Sequence, residues 1–354
     1  VGFGHLPVIV NGRLQPLESA ARNALLIIRG KQTALIERRE RLSAVEWLLT
    51  VTASPEVADR LPVFRVDHPE LRSMLNLPAN GSFNIAFRDI ASHLETIQQH
   101  AERAGKTEPK DRTAFERAVV RLATGIAVYN KLKSSFRPDK STNLVEELRH
   151  YEQAVAEGVA AWKARQNNLP YDEQTLRRLH DHLRHFESVI GSDHMLVVPP
   201  SNPSGGIHGW QTFGEALLGM LSTTNTPKPL LTYATLVTAR MNNQPEIFNT
   251  ALRDYRVWLN TLHPKLVFKC NLEYAYRNWQ PFLKCMTLYG LGLLISLVGW
   301  YVWFKPLNST AFWIAVCGFA LHSAGIALRM AIEGRPPVTN LYSSAVFVGW
   351  GAAA

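Results

Sequence analysis

At 354 residues the chain is long enough for more than one domain, and its overall apolar content of 46% averages two unlike parts, a charged one up to about Trp279 and an apolar one from Phe282 onward. The formal net charge of +9 raises nucleic acid as a partner, but the basic residues alternate with acids, as in Glu37-Arg38-Arg39-Glu40-Arg41 and Glu146-Glu147-Leu148-Arg149. That pattern marks solvated helix faces and argues for no nucleic acid, leaving an anionic membrane surface as the better match for any excess charge.

In chain order, the opening residues read as a short strand and an Asn11-Gly12 turn, a strong two-residue hairpin signal. A helix over Ala20 to Arg29 follows, with Ser19 as its cap and Gly30 as its stop. Ser43 to Thr52 is a second helix, and Pro62 to Val66 a short extended piece. Four longer segments, Asn84 to Ala104, Arg112 to Phe136, Asn143 to Gln166 and Glu173 to Ile190, carry apolar residues at three- and four-residue steps, which predicts helices burying one face. The Pro/Gly-rich stretch 193–209 breaks the pattern. Helices resume over Trp210 to Thr223, Leu230 to Met241 and Pro245 to Leu262. The expected class is mainly α, with a soluble helical domain over 1–269.

From 270 onward the expectation is the start of a multi-spanning domain. Phe282 to Phe304 carries one charge, Lys284, and about 20 such residues cross a bilayer core of about 30 Å. Trp300, Tyr301 and Trp303 form an interfacial belt at its end. A tight turn at Pro306 leads to a second span, Thr310 to Ile332, and a third opens near Tyr342. It runs to Ala354 with no polar cap, and the chain begins with Val1 and no visible secretory signal, so it reads as a piece of a longer protein. Lys305, in the loop between the complete spans, points that loop to the cytoplasm and the soluble domain to the outer face. The three cysteines, Cys270, Cys285 and Cys317, read as small packing residues. No Cys-x-x-Cys-His occurs, so the chain is not itself a c-type cytochrome.

His322 and Arg329 lie seven residues apart, two turns along one helix face. An ionisable residue inside a membrane is costly and marks a functional path, so His322 is a candidate haem-iron ligand, proton relay or interhelical hydrogen-bonder. Arg329 either reaches the interface or pairs with a haem propionate. Arg335 in the Gly334-Arg-Pro-Pro loop suits a carboxylate, and Asn340 and Ser343 are candidate caps for the third span. His180, His182 and His185 put two imidazoles on one helix face, a poor metal spacing. Gly105-Lys106-Thr107 lacks the leading glycine of a phosphate loop. His208, in an aromatic-flanked Gly-rich loop, is the most suggestive of the other histidines. No complete catalytic constellation is present.

The run His322 to Arg329, then Gly334-Arg-Pro-Pro-Val-Thr-Asn-Leu-Tyr-Ser-Ser and an aromatic span with Trp350, resembles the first part of a CcsA/ResC-type cytochrome c assembly protein. Asn11-Gly-Arg-Leu-Gln-Pro-Leu-Glu-Ser is similar to the extracytoplasmic region that precedes it in fused forms. The resemblance implies a multi-pass protein of the bacterial plasma membrane that moves haem outward and presents it to apocytochrome c. It thereby implies part of a cytochrome c synthase (haem lyase), working with a ResB/CcsB-type partner or fused domain. It also implies haem as cofactor, with His322, Arg329, Arg335, Asn340 and Tyr342 as the candidate haem-binding residues. The family's Trp-rich external segment would lie beyond Ala354. Family members carry a glutamate after the motif tyrosine, and this chain has Ser343. The competing reading is a membrane-anchored extracytoplasmic interaction or transport protein without haem chemistry.

Overall fold

Asn11 and Gly12 both take the left-handed backbone region (φ 52° and 72°) and join β1 (Pro7–Val10) to β2 (Arg13–Pro16). This computed structural model describes residues 2–36, 41–202, 209–223, 225–334, 336, 338 and 341–354. Helix α1 (Leu17–Arg29) begins three residues earlier than read, because Pro16 presets the entry at φ −69° and Leu17 and Glu18 are already buried. Ser19 therefore lies inside the helix rather than capping it. Gly30, at φ 73°, closes it with its N–H on the Leu26 carbonyl.

After the pair β3 (Ala34–Leu35) and β4 (Arg41–Leu42), Ser43 and Glu46 form a capping box at α2 (Ala44–Ala53). Next come α3 (Pro55–Ala58), β5 (Pro62–Arg65), α4 (Pro69–Met74) and β6 (Asn84–Ala86), which pairs antiparallel with β5. The helix expected over Asn84 to Ala104 is corrected here. Its first ten residues are β6 and two 3-10 turns, and α5 covers Leu94–Gly105. Ile85 is buried by the strand and Ile90 by the turn, and Ile90 stands at a helical step from Leu94 and Ile97.

Helix α6 (Ala114–Lys133) is capped by Thr113 with Glu116, and α7 (Leu144–Gln166) by Asn143. The segment read as one helix to Ile190 is two, α8 (Glu173–His185) and α9 (Glu187–Ile190), parted at buried Phe186. Two strands follow that the hydropathy pattern did not reveal, β7 (Leu196–Val198) and β8 (Gln211–Thr212). Together with the first hairpin they form an antiparallel sheet of order β2-β1-β7-β8. Helices α10 (Phe213–Thr223), α11 (Lys228–Met241), α12 (Pro245–Leu262) and α13 (Pro264–Trp279) complete the series before the apolar region.

The chain divides into two compact units, Val1–Val267 and Phe268–Ala354. The core of the first is strongly aromatic. Phe136 stacks on Tyr233 at 4.9 Å and meets Phe213 edge-on at 6.0 Å, while Tyr129 packs between Phe64 and Phe87. The Tyr129 hydroxyl donates to Asp59 at 2.8 Å, and Lys133 reaches the same carboxylate at 2.9 Å. Burial, then the Asp59 charge, raises the phenol pKa, so the phenol stays a donor. Two buried arginines tie irregular chain to this core. Arg137 donates to the carbonyls of Ser141 and Ala53, and Arg72 to those of Val66, Ser82 and Pro78. A buried cation satisfied by carbonyls fixes loops that have no ladder of their own.

In the second unit, α14 (Pro281–Tyr301) and α15 (Phe304–Glu333) pack as a hairpin, followed by α16 (Leu341–Ala353). Among the described residues two helical stretches are long and apolar enough to cross a membrane, Pro264–Tyr301 (α13 running into α14) and Phe304–Glu333. The turn lies at Val302 and Trp303, and Pro306 and Lys305 sit in the first turn of α15, where proline is tolerated because no N–H is needed there.

Gly214 is where α10 meets α9. A Cβ there would lie 2.4 Å from the Val189 carbonyl oxygen and 2.5 Å from the Ile190 Cα, both backbone atoms. Gly214→Ala is expected to cost about 3 kcal/mol, read as a lowered chemical-denaturation midpoint; an unchanged midpoint would refute this close contact.

Candidate functional site

The apolar hairpin is built on small residues. Cys285, Gly292 and Gly299 are buried along α14 at seven-residue steps, and Ala311, Gly318, Gly325 and Ile332 along α15 at the same step. A Cβ on Gly318 would sit 3.1 Å from the Tyr289 ring, and one on Gly325 3.1 Å from the Phe282 ring. Such seams let helices approach closely where the surroundings offer no hydrophobic drive. Ser296 donates to Asn308 at 3.1 Å near the turn. Helix α16 joins through Trp350, whose indole N–H donates to Ser323 Oγ at 2.8 Å and whose ring stacks on Phe319 at 5.8 Å.

Because Gly318 and Gly325 bring Tyr289 and Phe282 against α15, His322 is enclosed between those two rings, at 5.6 Å from Phe282 and 6.1 Å from Tyr289. It is 6% exposed. Neither of its ring nitrogens makes a hydrogen bond among the described residues. Leaving such a group unmatched costs about 1–3 kcal/mol. The ring opens onto a cavity of about 500 Å³ lined also by Phe282, Cys285, Met286, Tyr289 and Tyr342. The Tyr289 hydroxyl is likewise unmatched.

Of the five candidate residues, the structure brings His322 and Tyr342 to one cavity, and Arg329 lies over the Tyr342 ring at 5.7 Å. Arg329 also pairs with Glu333 at 3.0 Å, a contact that sequence reasoning missed although the four-residue spacing was visible. Arg335 and Asn340 lie outside the described residues, as does His208. Cys270 and Cys285 are buried free thiols and Cys317 is an exposed one.

A second polar cluster lies in the first unit. His182 and His185 line one pocket with Glu147, His150, Arg178 and Asp181, and His180 is not part of that lining. Among the described residues no group of three or more His, Cys, Asp or Glu side chains is arranged to hold a metal ion. The pocket's chemistry is instead a hydrogen-bonded carboxylate. Glu147 accepts from Ser141 at 2.9 Å, from the Thr142 N–H at 3.2 Å and from His185 at 3.1 Å. Burial opposes its charge, but His185, Ser141 and the backbone amides outweigh it and hold its pKa below the usual carboxylate value. The Gly105-Lys106-Thr107 stretch is simply the end of α5.

No protein-family model and no curated protein matches the chain.

Burial, then neighbouring His150 and His185, lowers the pKa of His182 from 6.5, and burial, then Lys131, lowers that of His194. Groups kept neutral in the folded state add stability that is complete above about pH 6.5 and lost as the pH falls below it, because the unfolded chain then binds more protons. The denaturation midpoint should therefore fall between pH 7.5 and 5.5. In a His182→Gln, His194→Gln variant most of that fall should vanish; if it persists in full, other groups carry it.

Proposed function

We propose that the protein handles haem in cytochrome c maturation, carrying it in the membrane and presenting it for covalent attachment to apocytochrome c. The observation that supports this most directly is His322: a buried imidazole with unmatched nitrogens, facing a cavity with aromatic and thioether walls. A neutral imidazole nitrogen is a common iron ligand, and an apolar pocket with few convergent polar groups is the usual form of a cofactor site. The residues present fit the group. His322 would hold the iron, and Phe282, Tyr289 and Met286 would cover the macrocycle and keep water from it. Arg329 and Tyr342 would meet its carboxylate edge. Haem bound there would supply the vinyl groups that the thiols of Cys-x-x-Cys-His take up.

The family resemblance of His322 to Arg329 and of the Gly334 to Tyr342 run supports the same reading, as do two helices of membrane-crossing length. On this reading the protein is a multi-pass protein of the bacterial plasma membrane. Its helical domain lies on the outer face, with a ResB/CcsB-type partner or fused domain beside it. The cytoplasmic end of the hairpin is the one that carries Lys305.

Full-length protein purified in detergent is expected to give a Soret band on titration with haem. His322→Ala should weaken binding by more than the roughly 10–100-fold that loss of an outer-shell partner costs. Absence of a Soret band in the unmodified protein, or normal c-type cytochromes in a deletion strain, would sink the reading.

A further inference from the structure

Arg329 does not face the cavity rim as a free cation. Its Nε pairs with Glu333 Oε1 at 3.0 Å, with both side chains mostly buried, while its guanidinium lies over the ring of Tyr342. Glu333 is the last residue of α15, before Gly334 at φ 64°. A carboxylate at that end meets the negative pole of the helix, and an acid following a base at four residues is the weaker of the two pair orders. Glu333 is thus held against the helix field by Arg329. The same field favours the arginine, which lies one turn back.

We infer that Glu333 is a placeholder: it occupies the site on Arg329 that a ligand's carboxylate takes when the cavity fills. The inference rests on the haem reading and deepens it by fixing the ligand's class and direction. The ligand is an amphipathic carboxylate whose apolar body lies against His322, Phe282 and Tyr289, and whose acid end points along α15 toward Gly334. His322 and Arg329 are separated by a rise of about 10 Å on one helix face, so one molecule with a ligating centre and a peripheral carboxylate addresses both. No charge is created in the exchange. One carboxylate leaves Arg329 for the solvent-facing helix end as another arrives, so the empty cavity never holds an unpaired guanidinium in apolar surroundings.

The test compares haem with its dimethyl ester, which has the same macrocycle and no free carboxylate, titrated into full-length protein in detergent and followed by the Soret band. Glu333→Gln is expected to tighten haem binding about fivefold and leave the ester unchanged. Arg329→Ala is expected to weaken haem about tenfold and bring it level with the ester, and Arg329→Lys to restore part of the preference. Equal effects of Glu333→Gln on both ligands, or a haem preference that survives Arg329→Ala, would overturn the placeholder while leaving haem binding intact. No Soret band with either ligand in the unmodified protein would overturn both, and far-UV circular dichroism of each variant separates lost binding from lost fold.

Discussion

The close approach of α14 to α15 is the constraint on which the apolar unit depends. Two helices in apolar surroundings gain little by burying more apolar surface, so contact comes from fit, and fit here comes from small residues at a seven-residue step. Cys285, Gly292 and Gly299 on one helix face Ala311, Gly318 and Gly325 on the other. The large residues consequently stand beside the seam rather than within it. That is why Phe282 and Tyr289 close on His322 and why a cavity is left where α16 leans in through Trp350. A bulkier residue at Gly318 would meet Tyr289 first and displace a wall of the same cavity.

The first unit solves the opposite problem. It has solvent to drive burial, but its chain contains long irregular stretches, and it fixes them with buried cations and carboxylates bonded to backbone. Arg72 gathers three carbonyls around the 76–83 turn, Arg137 joins the start of α7 to the end of α2, and Glu147 accepts from the amides just ahead of α7. The two arginines would be expensive to bury alone, and the carbonyls they bond offset most of that cost.

Much of this was legible in the residues, for identifiable reasons. Asn11-Gly12, Gly30, Ser43 with Glu46 and Pro245 act within a few residues of themselves, so the turns and helix ends they specify followed directly. The misreadings share a cause. Ile85 and Ile90, Phe186 and Trp210 are buried outside the regular helices, and Ile90 stands four residues before Leu94, which continues the helical step of α5 back into a turn. Strand β7 was hidden because one of its two partners, β1, comes from the far end of the chain and the other, β8, is only two residues long. At the candidate site, His322 and Tyr342 could be picked out because ionisable and aromatic residues are conspicuous in apolar segments. The seven-residue seam was visible too, and would have located the wall residues Phe282 and Tyr289 had it been followed.

Arg329 and Glu333 show what spacing alone leaves open. A four-residue interval permits the pair but does not say whether it is structural or transient. The structure adds that the acid stands at the helix end where it is least favoured and that the guanidinium also covers a cavity-lining ring. A purely structural pair gains most with the acid earlier in the helix and the base at its end. The reverse order keeps Arg329 neutralised while leaving its partner the easier of the two to release. An unmatched imidazole and a carboxylate at the disfavoured helix end, about three turns apart along one helix, are both costs to the protein on its own, and a single ligand that bears a metal centre and an acid group would relieve both at once.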